Sequence, residues 1–343
     1  MYLSNIINDY FKKKKQWKKK KNKKYVNYAD LNYTAKDYKC NNCKIINQFD
    51  NIDLLGNKIY QYNNFIKFYG TKPYFIPKTF ILNITNLNNY DKLFYNNKKW
   101  IIKPTNSLSR NGIKVVNNLN ILKKWITLNN KWDEWLIQEY INNPLLLNGR
   151  KFHFRVYVII IKNNKKIQIF MYNKGFMYTA NNKYNNSIDN NSTLSGENNK
   201  NNIYVFPDDF IKHFGVISYY KYIIPQFKKI IKRCIYPVID SLQCPNKNIN
   251  NYKCFKLLGF DILIDKNYKL YLAEINARNI SYKYPPKKFL NVFYSNVLNL
   301  ILKKKRNNFI FITQIYNTNL IYILYVIILI IILIIFLLFN NKK

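Results

Sequence analysis

The chain has 343 residues and a formal net charge of +39, with 48% hydrophobic residues. That apolar fraction argues against global disorder, and the length allows a substantial core divided among two or three lobes. The charge selects acidic partners without saying which, because lysine is enriched along with isoleucine, asparagine and tyrosine across the whole chain. Five cysteines at irregular spacing do not make a disulfide framework. Cys40 and Cys43 form a single C-x-x-C, while Cys234, Cys244 and Cys254 show no ligand-like grouping, as expected of a reducing, cytosolic compartment.

In chain order, the first element is a basic run from Phe11 to Lys24 with ten lysines in thirteen positions. Such a run repels itself and reads as a mobile arm, residues 1–30, able to dock on an acidic surface. No apolar stretch follows it, so it is not a secretory signal. Residues 31–95 are expected to form an N-terminal lobe and 96–145 a central lobe, in which Lys98–Val116 reads as strand, loop, strand and Glu134–Ile141 as a further strand. Residues 146–300 are expected to form a C-terminal lobe. Its first long strand, Lys151–Ile161, has Ile167–Asn173 as hairpin partner, and an Asn-rich loop covers 181–202. A helical pattern spans Tyr219–Leu242, and two strands joined by a tight polar turn close the lobe. A basic linker, 301–319, then leads to twenty uncharged residues, Leu320–Phe339, long enough to cross a bilayer as a helix. The basic residues before that segment predict a tail anchor at the cytosolic face of a membrane.

Two strands carry polar residues where a core strand would be apolar. In KFHFRVYV, the two-residue period puts Lys151, His153 and Arg155 on one face and Phe152, Phe154 and Val156 on the other. Cations on adjacent same-face positions suit phosphate or carboxylate. In LYLAEINA, strict alternation puts Leu270, Leu272, Glu274 and Asn276 together, opposite Tyr271, Ala273 and Ile275. A hairpin with GFDILID brings Asp261 to that face. Two carboxylates and an amide oxygen are hard ligands suited to Mg2+. On spacing alone, a solvent-exposed polar strand edge remains the alternative.

Taken in order, Ile76–Leu82, Trp100–Ile113, Leu136–Val158 and Cys254–Ala277 resemble the tubulin–tyrosine ligase family. The resemblance implies an α+β, ATP-grasp fold that binds nucleotide between two antiparallel-sheet lobes. It also implies an ATP- and Mg2+-dependent ligase adding tyrosine, glutamate or glycine to a protein carboxylate through an acyl phosphate, with tubulin or another acidic protein as acceptor. By the resemblance, Lys103 and Lys151 hold phosphates, Gln138, Tyr140 and Ile141 form the adenine hinge, and the loop Thr105–Gly112 closes over the nucleotide. Asp261, Glu274 and Asn276 are the Mg2+ ligands, and Arg155 faces the γ-phosphate and the reacting carboxylate. His153 stands where the family has a ribose-contacting Asp, Tyr178 where it has a second arginine, and SRNG where it has SRGRG. The family's His-Leu-Thr-Asn segment is assigned to Asn190. The alternative these departures raise is a weakened nucleotide-binding protein acting on microtubules or membranes. No nucleic-acid motif interleaves with the basic run, so nucleic acid is not the expected partner.

Overall fold

A computed structural model describes residues 45–70, 73–105, 107, 110–163, 166–185, 187–196, 203–245, 253–277, 285–303 and 305–316. The basic arm, Cys40, Cys43 and the apolar segment 320–339 lie outside the described residues. The strands, in chain order, are β1 Ile45–Ile46, β2 Thr79–Leu82, β3 Trp100–Pro104, β4 Lys114–Val116, β5 Trp135–Glu139, β6 Leu146–Leu147, β7 Arg150–Asn163, β8 Lys166–Tyr172, β9 Gly175–Thr179, β10 Ile203–Phe206, β11 Lys253–Ile264, β12 Leu270–Asn276 and β13 Phe309–Tyr316. They form two sheets.

The smaller sheet has the order β2-β5-β3-β4, all antiparallel. Alternation gives it one dry face: Leu82, Trp100, Ile102, Val116, Trp135 and Ile137 pack with Leu122 and Ile126 of the helix Leu119–Leu128. Asn118 caps that helix, its side chain accepting from Ile121 N. The opposite face carries Lys103 and Gln138, which leaves it facing the second sheet.

The larger sheet has nine strands built around β11-β7-β8-β13, antiparallel except for the short β1–β11 contact. One face of β7, comprising Phe152, Phe154, Val156, Val158 and Ile160, enters the main core with Phe227, Ile230 and Ile231 of the helix Ile224–Ile235. The other face is divided along its length. Tyr157, Ile159 and Ile161 are covered by Phe293, Tyr294 and Val297 of the helix Lys287–Lys303. Lys151, His153 and Arg155 are left at the uncovered end, toward the smaller sheet.

Several expectations change. Residues 31–95 are not a separate lobe where described, because β1 pairs with β11 in the large sheet and β2 with β5 in the small one. Residues 301–319 are not a linker: the helix Lys287–Lys303 runs into them, and β13 pairs with β8 from Phe309↔Tyr172 to Tyr316↔Lys166. The membrane-face localisation through a tail anchor is corrected as well, since no helix among the described residues is long and apolar enough to cross a membrane. The chain leading toward 320–339 is a sheet strand held by its neighbour, not a basic tether. Cys244 and Cys254, which the spacing leaves ungrouped, are joined as a disulfide with Cα atoms 5.8 Å apart.

Candidate active site

The two cleft-facing surfaces meet at several contacts. Lys103 Nζ donates to Gln138 Oε1 at 2.8 Å and reaches Ala273 O of β12 at 3.5 Å. Gln138 in turn donates to Thr79 Oγ1 at 2.9 Å, so three strands of the small sheet fix the amide. On the other side, Lys151 Nζ lies 3.7 Å from the Tyr140 ring centroid, and the Tyr140 hydroxyl donates to Thr193 O at 3.1 Å. From the loop after β3, Arg110 Nη1 donates to Leu194 O at 3.1 Å and ties that loop across the cleft.

The acidic corner rests on a bulge that sequence alternation does not reveal. β11 and β12 pair at Gly259↔Asn276, Phe260↔Ile275 and Asp261↔Glu274, but Ile262 pairs with Leu272, which leaves Ala273 as the extra residue. The bulge resets the face. Leu270 and Leu272 enter the core before it and Ile275 and Ala277 after it, while Glu274 and Asn276 turn to the cleft. The expectation that Leu270 and Leu272 share a face with Glu274 and Asn276 is therefore corrected. The pairing of Asp261 with the last two residues stands. An acid on a strand that otherwise buries leucine thus needs no leucine to leave the core.

Arg155 pairs with Asp261 across β7–β11, its Nε 2.5 Å from Oδ1 and its Nη2 3.1 Å from Oδ2. Asn276 Nδ2 donates to the same carboxylate at 3.1 Å. Burial would raise the Asp261 pKa, but Arg155, His153 and these hydrogen bonds hold it below the usual carboxylate value. Glu274 Oε1 faces a cation from a different element, Lys58 Nζ at 3.6 Å.

His153 is buried between Ser195 and Tyr178. Its Nδ1 is 2.8 Å from Ser195 Oγ, and its ring lies 5.4 Å from the Tyr178 ring. Burial pulls its pKa down to about 4 against the pull of Asp261, with Arg155, Arg110 and Lys151 adding to the depression, so the imidazole is neutral near pH 7. Burial lowers Lys103 to about 8; Glu274 and Asp261 counter this and Lys58 adds to it. Burial and the proximity of Lys103 push Lys151 well below the ordinary lysine value.

Of the site residues expected from sequence, Lys103, Gln138, Tyr140, Lys151, His153, Arg155, Asp261, Glu274 and Asn276 converge. Ile141 follows Tyr140 and lines with it a groove of about 500 Å3 that also includes Glu139 and Tyr271. Asn190 does not reach the polar cluster: its Nδ2 donates to Ile113 O at 3.2 Å. The segment that does reach it is Thr193-Leu194-Ser195-Gly196. Leu194 packs on Ile113, Val115 and Tyr140, and Ser195 holds His153. No strand period marks Ser195 or Lys58 in the sequence, while Arg110 falls in the loop Thr105–Gly112 already expected over the nucleotide.

The donor set fits a hard divalent cation: two carboxylates at paired positions and an amide whose nitrogen is already committed to Asp261. Among the described residues no group of three His, Cys, Asp or Glu offers a competing metal site. The buried lysines beside this donor set fit an anion. Lys103 and Lys151 are 7% and 3% exposed, and neither is ion-paired among the described residues, which is costly for buried cations. Thr105 Oγ1 and His153 Nε2 are buried there without hydrogen-bond partners.

Fold and site thus define an α+β protein with a cleft between two sheets, in which Lys103 of the small sheet faces a large-sheet wall that carries Lys151, His153 and Arg155 beside the paired carboxylates. The sequence model of the Tubulin-tyrosine ligase family matches residues 36–299, and the chain belongs to that family. It is 27% identical over 277 residues to the "Probable alpha-tubulin polyglutamylase Ttll1" of Tetrahymena thermophila, covering 70% of this chain and 67% of that protein. It is 28% identical over 261 residues to mouse "Tubulin polyglutamylase TTLL5", covering 67% of this chain and 19% of that protein. It is 26% identical over 314 residues to human "Tubulin polyglutamylase TTLL7", covering 78% and 34%. The chain therefore spans about two thirds of the first and a third or less of the other two. Family and relatives point to an ATP-dependent ligase.

Proposed function

We propose that the protein is an ATP-dependent carboxylate–amine ligase that adds glutamate to a carboxylate of tubulin. The observation that carries this is the pair of buried lysines, Lys103 and Lys151, facing the Asp261–Glu274–Asn276 corner. The arrangement sets cations for phosphate, Lys103 on one wall and Lys151 on the other, next to hard oxygen ligands for Mg2+. The choice of glutamate and tubulin rests on the relatives, which are tubulin polyglutamylases by name.

In this reading Gln138 and the backbone of Tyr140 and Ile141 hold the adenine, while Lys103 and Lys151 hold the phosphates. His153, neutral and oriented by Ser195, offers its Nε2 to the ribose. Arg155 keeps Asp261 ionised and in place, and faces the γ-phosphate and the acceptor carboxylate. Asp261, Glu274 and Asn276 would hold Mg2+, which would withdraw charge from the phosphates. An oxygen of the acceptor carboxylate attacks the γ-phosphorus and ADP leaves; the amine of glutamate then attacks the acyl phosphate carbon and phosphate leaves. Both partners of the first step are anionic, so the lysines and Arg155 act mainly by offsetting their repulsion and fixing their line of approach.

The test is a panel of labelled tyrosine, glutamate and glycine with ATP and tubulin, comparing the full chain with Glu274→Gln. Glutamate incorporation that disappears in Glu274→Gln is the expected result. Equal incorporation by both proteins would contradict it, and nucleotide binding with no incorporation would favour a non-catalytic binding protein.

A further inference from the structure

Lys58 is absent from every strand pattern that builds the site, yet it reaches the acidic corner. It is the first residue of the helix Lys58–Tyr69, whose N-cap Asn57 accepts from Ile59 N and Tyr60 N. The preceding short helix, Asp53–Gly56, lies against the end of β12 so closely that a Cβ at Gly56 would be 3.0 Å from Ala277 Cβ. That close approach carries Lys58 into the interior, where its side chain is 8% exposed and its Nζ lies 3.6 Å from Glu274 Oε1. A cavity of about 30 Å3, lined among others by Lys58, Lys103, Gln138 and Ala273, lies beside the pair.

The charges at this corner do not balance. Lys58, Lys103 and Arg155 face Asp261 and Glu274, and Lys151 stands across the cleft near Lys103. Both carboxylates are already met by a cation, Asp261 by Arg155 and Glu274 by Lys58. A bare divalent cation would enter a site that is already positive and would have to displace an ammonium from Glu274. A polyphosphate entering with it reverses that balance and gives the displaced ammonium a new anionic neighbour.

We propose that Lys58 is a positioning residue that holds Glu274 as an internal counter-ion, excludes the free divalent cation, and yields the carboxylate only when the cation arrives together with a polyphosphate. The proposal rests on the assignment of Asp261, Glu274 and Asn276 as metal ligands. It makes metal binding conditional on nucleotide, and it assigns that condition to one side chain outside the nucleotide-binding strands.

The experiment is Mn2+ binding followed by electron paramagnetic resonance on the full chain, with and without ADP, for wild type, Lys58→Met and Lys58→Arg. Wild type is expected to bind Mn2+ with ADP and to bind it at least about tenfold more weakly without ADP. Lys58→Met is expected to bind Mn2+ alone about tenfold more tightly than wild type and to lose most of the dependence on ADP, while Lys58→Arg restores it. If wild type binds Mn2+ with ADP but Lys58→Met matches it in both conditions, the role of Lys58 is overturned and the site assignment stands. If wild type binds no Mn2+ even with ADP, the metal-site assignment itself fails, and this inference with it.

Discussion

Asp261 and Glu274 sit opposite each other on β11 and β12, and each is answered by a cation from a different element, Arg155 on β7 and Lys58 at the start of the first long helix. Replacing Glu274 by Gln removes a charge and a ligand while keeping the side chain's shape. Isothermal titration should show wild-type affinity for ATP without metal and loss of the gain that Mg2+ gives. Lys103→Ala removes a buried ammonium facing the phosphates, and ATP affinity should fall about tenfold or more. Normal affinity for ATP in the presence of Mg2+ in both variants would contradict the site. His153 supplies a pH test. Its folded pKa, about 4, lies below the ordinary 6.5, so between these values the unfolded chain binds a proton that the folded chain refuses. Stability is therefore lost as pH falls through this window, and from pH 7 to 5 the His153 contribution is about 2 kcal/mol. Urea midpoints should show a flatter acid limb for His153→Gln than for wild type.

At the level of elements, the decisive feature is the bulge at Ala273. The sequence states that Asp261, Glu274 and Asn276 belong together, because a hairpin brings them into register whichever turn closes it. It does not state that the strand changes face between Leu272 and Glu274, because an extra residue leaves no mark when the alternation on both sides is apolar. The same limit hid Lys58, whose position depends on long-range packing rather than on a local period, whereas Arg110 falls in the loop Thr105–Gly112 that the resemblance places over the nucleotide. Asn190 donates to Ile113 O, and the Asn-rich stretch around it offers many similar amides. The long strand β7, by contrast, is legible in the sequence, because its residues alternate between two faces from Lys151 to Val158. Deleting Ala273 removes the bulge and leaves a plain alternation that keeps Leu272 in the core and Glu274 and Asn276 on the cleft face, so Mg2+-dependent nucleotide binding should survive the deletion. Gly259 gives the converse test, because a Cβ there would lie 3.2 Å from Arg155 Cδ. Gly259→Val should displace Arg155 from Asp261 and weaken ATP binding in calorimetry, with circular dichroism unchanged.

At the scale of the whole molecule, the large sheet serves two purposes: one face is the main core, and the other is partly core and partly cleft. Lys256 stands on the main-core face of β11, opposite Ile160, with burial lowering it to about 8 and Asp53 opposing the shift. Its folded pKa is below the ordinary 10.5, so the penalty is present below about 8 and disappears as pH rises toward 10.5. Lys256→Met should therefore stabilise the protein at pH 7 by about 2 kcal/mol and remove the alkaline rise, as measured by urea unfolding. Its place on the core face of β11, opposite the face that carries Asp261, makes it a control for effects that act through stability alone. The central claim is that the cleft between the sheets couples ATP cleavage to amide formation on tubulin. The most direct measurement follows ADP release and labelled glutamate incorporation in the same reaction. The account predicts that ADP forms in step with incorporated glutamate, requires both glutamate and tubulin for sustained turnover, and ceases in Glu274→Gln. Glutamate incorporation without ADP formation, or ADP formation indifferent to tubulin and to Glu274, would contradict it.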